Sequence, residues 1–153
     1  MPTQRPLIGW REWVHLPDLE GTWVKAKVDT GARTSAIHAT RLEPFTGYDG
    51  RDWLRFTLHP TQHGHRHAVR VAAPVVDRRV VRSSSGEEEV RPVVVTRLTL
   101  LGHTWPVEVT LTRRDRMGFR MLLGRAAVRR HYFIDPGRSY LGGKRDPSPW
   151  PNE

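Results

Sequence analysis

Val28-Asp29-Thr30-Gly31-Ala32-Arg33-Thr34-Ser35 is the stretch on which the fold turns. Ahead of it runs Trp23-Val24-Lys25-Ala26-Lys27-Val28, a strand with Lys25 and Lys27 on one face. A carboxylate at the end of such a strand is costly unless its surroundings use it. Gly31 lets the backbone turn tightly and lets a substrate or a second chain come close. The Thr30 hydroxyl is placed to bond nearby backbone and stiffen the turn. The stretch therefore reads as one carboxylate held rigidly at the mouth of a β-structure. The plainer reading is an aspartate that merely caps a turn.

Composition sets the frame. The 153 residues suffice for one domain with a real core. Residues 1–141 read as that domain, and the Pro-rich 142–153 as a disordered tail. No apolar run approaches the roughly 18 residues of a membrane helix. The N-terminal residues lack the apolar core of a signal peptide. A cytoplasmic protein without a membrane partner is the expectation. Without cysteine, disulfides and thiolate metal sites are excluded. The net charge is +9, and Lys25, Lys27 and Lys144 are the only lysines, so the excess is arginine. That favours anionic partners such as an acidic peptide or nucleic acid. Arginine's planar fork also matches a carboxylate. A merely solvated basic surface is the bland alternative.

Short β-segments run along the whole chain. Residues 7–14, 52–59, 93–100 and 105–111 read as strands, and 119–123 as a short apolar one ending at Gly124. Residues 36–42 are open between strand and helix. Residues 67–76 are β-rich but interrupted by Pro74. Arg78–Arg82 and Glu89–Val95 flank a small polar tip, Ser83-Ser84-Ser85-Gly86-Glu87-Glu88, as a long hairpin. Arg125–His131 is the best helix, about two turns. Tyr132–Ile134 reads as a last strand, closed by Asp135-Pro136-Gly137. Many short strands and one short C-terminal helix mean an all-β closed barrel or sandwich.

Asp-Thr-Gly-Ala at 29–32 resembles the active-site signature of aspartic peptidases. It occurs once, in a chain too short for two lobes, so the resemblance is to the retropepsin-like group, one lobe per chain. Met121-Leu122-Leu123-Gly124-Arg125, leading into Ala126-Ala127-Val128, looks like that group's second signature. The resemblance implies a strand passing behind the site and a helix packed beneath it, with the hairpin tip between the two motifs as a flap. A narrower likeness covers Gly9–Leu19, Ala26–Ala39, Glu89–Val94, Thr110–Met117 and Met121–Arg125. These segments are similar to the bacterial retropepsin-like proteins associated with RimK-type ATP-grasp glutamate ligases, a family also labelled "ATP-dependent zinc protease". That resemblance implies a peptidase for glutamate-modified proteins, with ribosomal protein S6 the suggested target, and a functional link to an ATP-grasp ligase.

The expected chemistry needs two carboxylates about 3 Å apart sharing a proton, since two like charges that close cannot both ionise. One Asp29 per chain supplies this only in a homodimer. Thr30 and Gly31 complete the catalytic set by holding the pair coplanar. Ala32, Arg33, Ser84, Ser85, Gly86, Arg82 and Arg91 are the candidate substrate contacts, with Arg82 and Arg91 as clamps for substrate carboxylates. Glu87, Glu88 and Glu89 stand close enough in sequence to neutralise those two arginines instead. Leu122, Leu123, Gly124 and Arg125 are expected to support the site. Viral retropepsins usually carry an acid where this chain has Arg33, able to pair with the arginine of Gly-Arg. Here Arg33 and Arg125 are both basic, so Arg125 takes another partner or Arg33 faces the cleft. A basic cleft suits an acidic or glutamate-tailed peptide.

His63-Gly64-His65-Arg66-His67 is the one cluster that speaks for zinc. Alternate histidines on an extended segment share a face. No His-Glu-x-x-His and no nearby acid completes a ligand set, so it reads as a polar loop. No glycine loop precedes a helix to cradle phosphates. Neither metal nor cofactor is expected. The alternative function is a non-catalytic module of the same fold that binds anionic protein or nucleic acid.

Overall fold

The computed structural model describes residues 5–61, 67–82, 86–113 and 118–143, apart from the Arg82 side chain. Among the described residues, nine strands and one turn of helix follow in chain order. They are β1 (Leu7–Leu16), β2 (Thr22–Asp29), β3 (Ser35–Thr46), β4 (Asp52–Leu58), β5 (Val69–Arg82), β6 (Glu88–Leu100), β7 (His103–Thr112), β8 (Met121–Gly124), α1 (Arg125–Val128) and β9 (Phe133–Ser139).

Period-two alternation places the core. On β2, Thr22, Val24 and Ala26 are buried while Lys27 is exposed. Ile8, Phe56, Leu98, Met121 and Leu123 have no accessible surface at all. The sheet order is β4-β5-β6-β7-β3-β8-β2-β1-β9, and extra pairings β4–β3 and β6–β1 close it into rings. The fold is all-β and retropepsin-like. Closure leaves few edges with unpaired backbone groups. The β6–β7 hairpin turns on Leu101 and Gly102, both at positive φ (51° and 79°), as a two-residue turn matched to strand twist requires.

Several segments depart from the sequence reading. Residues 36–42 are strand, because β3 joins the ladder of β7 and then β4. Pro74 does not interrupt β5. It stands where β5 leaves β4, at Trp53↔Pro74, and takes up β6, at Val75↔Val94, so its missing N–H falls at the handover. The helix has one turn rather than two. Tyr132 is buried and its hydroxyl donates to the Leu100 carbonyl at 2.5 Å. Phe133 must then be extended to pair with Leu7 on β1, so the helix cannot continue. β9 runs through Asp135-Pro136-Gly137 to Ser139; as an edge strand it tolerates the proline.

Glu12 faces inward on β1, fully buried. Its carboxylate accepts the N–H of Gly9 (2.8 Å), Leu141 (2.8 Å) and Gly142 (3.0 Å). A buried carboxylate is tolerable when backbone donors satisfy it. Gly142, which the sequence placed at the start of a disordered tail, is thus fastened to β1.

Candidate active site

β8 carries the geometry of the site. It lies between β2 and β3, the strands that enter and leave the Asp29 loop. It runs parallel to β2, with Val28↔Leu123 and Asp29↔Gly124, and antiparallel to β3, with Ala36↔Leu122. The loop of residues 30–34 therefore wraps around the end of β8. Arg125 N–H donates to the Ala32 carbonyl (2.8 Å) and Ala126 N–H to the Arg33 carbonyl (3.0 Å). Gly124 N–H donates to the buried Ser35 hydroxyl at 3.0 Å. At Gly124 a Cβ would stand 2.6 Å from the Thr34 carbonyl carbon and 2.7 Å from the Arg33 oxygen. Only glycine lets the strand and the loop come this close.

Asp29 itself is half-buried. Its Oδ1 accepts the Gly31 N–H at 3.0 Å, and its own carbonyl accepts the Ala32 N–H at 3.2 Å. A side chain on Gly31 would press on that oxygen, with Cβ at 3.2 Å. The second carboxylate oxygen makes no hydrogen bond among the described residues. Thr30 is exposed, and its hydroxyl has no partner within the protomer among them. The result is a fixed, outward-presented carboxylate with one oxygen open.

The arginines sort themselves. Arg125 turns back on the loop, donating to the carbonyls of Gly31 (3.2 Å) and Thr30 (3.4 Å). This is the other partner that its missing acidic counterpart demanded. Arg33 is exposed and lines a cleft beside the loop. Arg91 pairs with Glu89 at 2.6 Å. Ser84, Ser85 and the side chain of Arg82 lie outside the described residues, as do His63 and His65. Gly86 has φ +90° at the end of the hairpin, whose last rung is Arg82↔Glu88.

Arg79 was not singled out in the sequence. It sits on β5 opposite Arg91 and reaches the Thr34 hydroxyl at 2.9 Å, Glu108 at 3.0 Å and Asp77 at 2.9 Å. The arm of the long hairpin is thereby tied to the loop that carries Asp29. The Arg79 hydrogen bond, then the Arg78 N–H, holds the Asp77 carboxyl below its usual value. The one available signal was Asp77-Arg78-Arg79, where the period of two puts Asp77 and Arg79 on one face.

A single-lobed all-β protein with Asp-Thr-Gly wrapped around a Leu-Leu-Gly-Arg strand is a retropepsin-like lobe. The chain belongs to the RimB-like family of retropepsin-like aspartic endopeptidases, whose model matches residues 7–145. It is 46% identical over 147 residues to a Shewanella pealeana protein named "Probable alpha-L-glutamate ligase" and 44% identical over 146 residues to one of the same name from Shewanella halifaxensis. Each match covers 95% of this chain but 32% of the relative, so the chain spans about a third of their length. Among solved structures, a Legionella pneumophila protein of unknown function has a TM-score of 0.75 at 26% identity, over 92% of this chain and 100% of that one. No helix among the described residues is long and apolar enough to cross a membrane.

Proposed function

We propose that this chain is an aspartic endopeptidase that works as a homodimer, each copy contributing Asp29 to one site. The observation that carries the reading is the half-buried Asp29 carboxylate, one oxygen held by Gly31 and the other open, on a loop bolted to Gly124 and Arg125. Two such carboxylates about 3 Å apart share one proton. The ionised one takes a proton from water as the oxygen attacks the peptide carbonyl carbon; the protonated one donates to the carbonyl oxygen. Collapse of the tetrahedral intermediate breaks the C–N bond as the nitrogen is protonated. The β5–β6 hairpin closes over the peptide and excludes water.

Acidic or glutamate-modified peptides are the substrate class. Three features support this: the +9 charge, exposed Arg33 where an acid is usual, and relatives named for a glutamate ligase. A functional partnership with such a ligase follows, one enzyme adding glutamate and the other removing it. The test is cleavage of a glutamate-tailed protein followed by mass spectrometry, with solution mass in parallel. Asp29→Asn is expected to slow cleavage by about 10²–10⁴-fold, the usual worth of a positioned acid–base group. Full cleavage by Asp29→Asn, or activity from a strict monomer, overturns the proposal. Arg33 also favours a second reading, a binding module without turnover; acidic ligands bound equally well by wild type and Asp29→Asn, with no product, select it.

A further inference from the structure

Beside the Asp29 loop lies a cleft of about 340 Å³, walled by Arg33, Arg79, Trp105, Glu108, Arg130 and His131. Its floor includes Ala126 and Ala127, whose short side chains leave the space open. The volume is that of a small-ligand pocket. We propose that this cleft is a carboxylate-binding subsite that holds acidic side chains of a peptide lying across the Asp29 loop. The inference rests on the peptidase reading and adds to it where the acidic residues bind.

The charges decide the class of ligand. Glu108 is the lining carboxylate; Arg79 is shared between it and Asp77 and also bonds Thr34, so this cluster keeps one net negative charge. Arg33 and Arg130 remain, both exposed and neither in an ion pair among the described residues. These two guanidinium groups outweigh that single charge and leave the concave site net positive, and each fork matches a carboxylate. The histidines do not add to this charge as a pair. His103 Nε2 and His131 Nδ1 share a hydrogen bond of 3.1 Å, so one of those nitrogens carries no proton. Trp105 stacks on His131 at 4.3 Å and on His103 at 5.0 Å, which stiffens that wall.

Position decides where along a peptide the acids fall. Arg33 is four residues beyond Asp29, a contour of at most roughly 13 Å at strand rise. An extended substrate at Asp29 therefore reaches the cleft within about four residues of the cut bond. A pocket of this size admits side chains and excludes a nucleic-acid duplex.

The probe is a pentaglutamate peptide, titrated calorimetrically into Asp29→Asn protein so that nothing is turned over. Arg130→Glu and Arg33→Glu, each added to that background, are expected to weaken binding at least tenfold with unchanged thermal midpoints. Arg130→Lys is expected to recover part of the affinity. In the Asp29 enzyme the Arg130→Glu loss falls on KM rather than kcat. Unaltered affinity and KM in Arg130→Glu overturn the subsite and leave the peptidase reading standing. Arg130-dependent binding in a protein that cleaves nothing upholds the subsite while the peptidase reading falls. Absence of pentaglutamate binding overturns the subsite, as does an Arg130-dependent preference for a pentanucleotide.

Discussion

Gly124→Ala puts the architecture of the site to its most direct test. The added Cβ lies 2.6 Å from the Thr34 carbonyl carbon and 2.7 Å and 2.8 Å from the Arg33 oxygen and carbonyl carbon. Ordinary carbon contacts are about 3.5–4.0 Å, so strand and loop must separate by roughly 1 Å. The obstructing atoms are backbone, and no rotamer change relieves them. Overpacking of this kind costs about 1–3 kcal/mol. The same separation stretches the Arg125→Ala32 and Ala126→Arg33 bonds, now 2.8 Å and 3.0 Å, at about 1 kcal/mol between them if each is half lost. The sum is about 2–4 kcal/mol. With a urea slope of about 2 kcal/mol per molar, the unfolding midpoint falls by about 1–2 M. Protein concentration must be matched, because any self-association adds to apparent stability. Hydrogen exchange should quicken at the Arg125 and Ala126 amides. A midpoint within about 0.3 M of wild type, with those amides still protected, refutes the account.

Three further outcomes follow from the buried and paired groups. Glu12→Gln presents an NH₂ where a carboxylate oxygen now accepts backbone N–H; a loss of about 1–3 kcal/mol is expected by urea unfolding, and an unchanged midpoint refutes it. Arg97 grips Asp18 by Nε and Nη2, and its side-chain hydrogen bond is the main cause that lowers the Asp18 carboxyl from 3.8. A folded value below the unfolded one gives stability that is present above the unfolded value and is lost as pH falls through the folded value. Asp18→Asn should therefore cost under about 1 kcal/mol at neutral pH, since the pair is exposed, with the gap closing as pH falls through the folded value and in high salt. Burial first, then the charge of Glu12, raises the Tyr132 phenol above its usual 10.0. Its contribution is present below that value and is lost as pH rises through the folded one. Tyr132→Phe should cost about 1–2 kcal/mol at neutral pH; in wild type, phenolate absorbance from Tyr132 should appear only with unfolding.

Much of the fold was legible because local pattern and long-range pairing agree. Asp29 and Leu122-Leu123-Gly124 each ended an apolar strand, and β2 and β8 are indeed neighbours in register. What escaped was set by distant partners. Residues 36–42 carry no decisive period, and neighbouring strands make them β. Pro74 looked like a breaker because its missing N–H is a local fact, whereas the change of ladder beside it is not. The helix was overestimated because Tyr132's anchorage to Leu100 is invisible in 125–131. For Arg91 the sequence leaves a substrate clamp and neutralisation by Glu87, Glu88 or Glu89 both open; in the fold it pairs with Glu89. Arg79 and Glu12 were missed for the same reason: beyond their near neighbours Asp77 and Gly9, their partners lie on β7, in the Asp29 loop or near residue 141.

The wedging of β8 between β2 and β3 also governs when the site comes into being. Arg125 and the Thr30 carbonyl it touches stand 95 residues apart. Closing so long a loop is entropically slow, and parallel pairing across it ranks among the late steps of folding. A growing or partly folded chain holds the Asp29 segment long before it holds the strand that stiffens it. Ordering of the Asp29 loop is thus coupled to completion of the fold, and immature copies carry the aspartate without the strand that holds it.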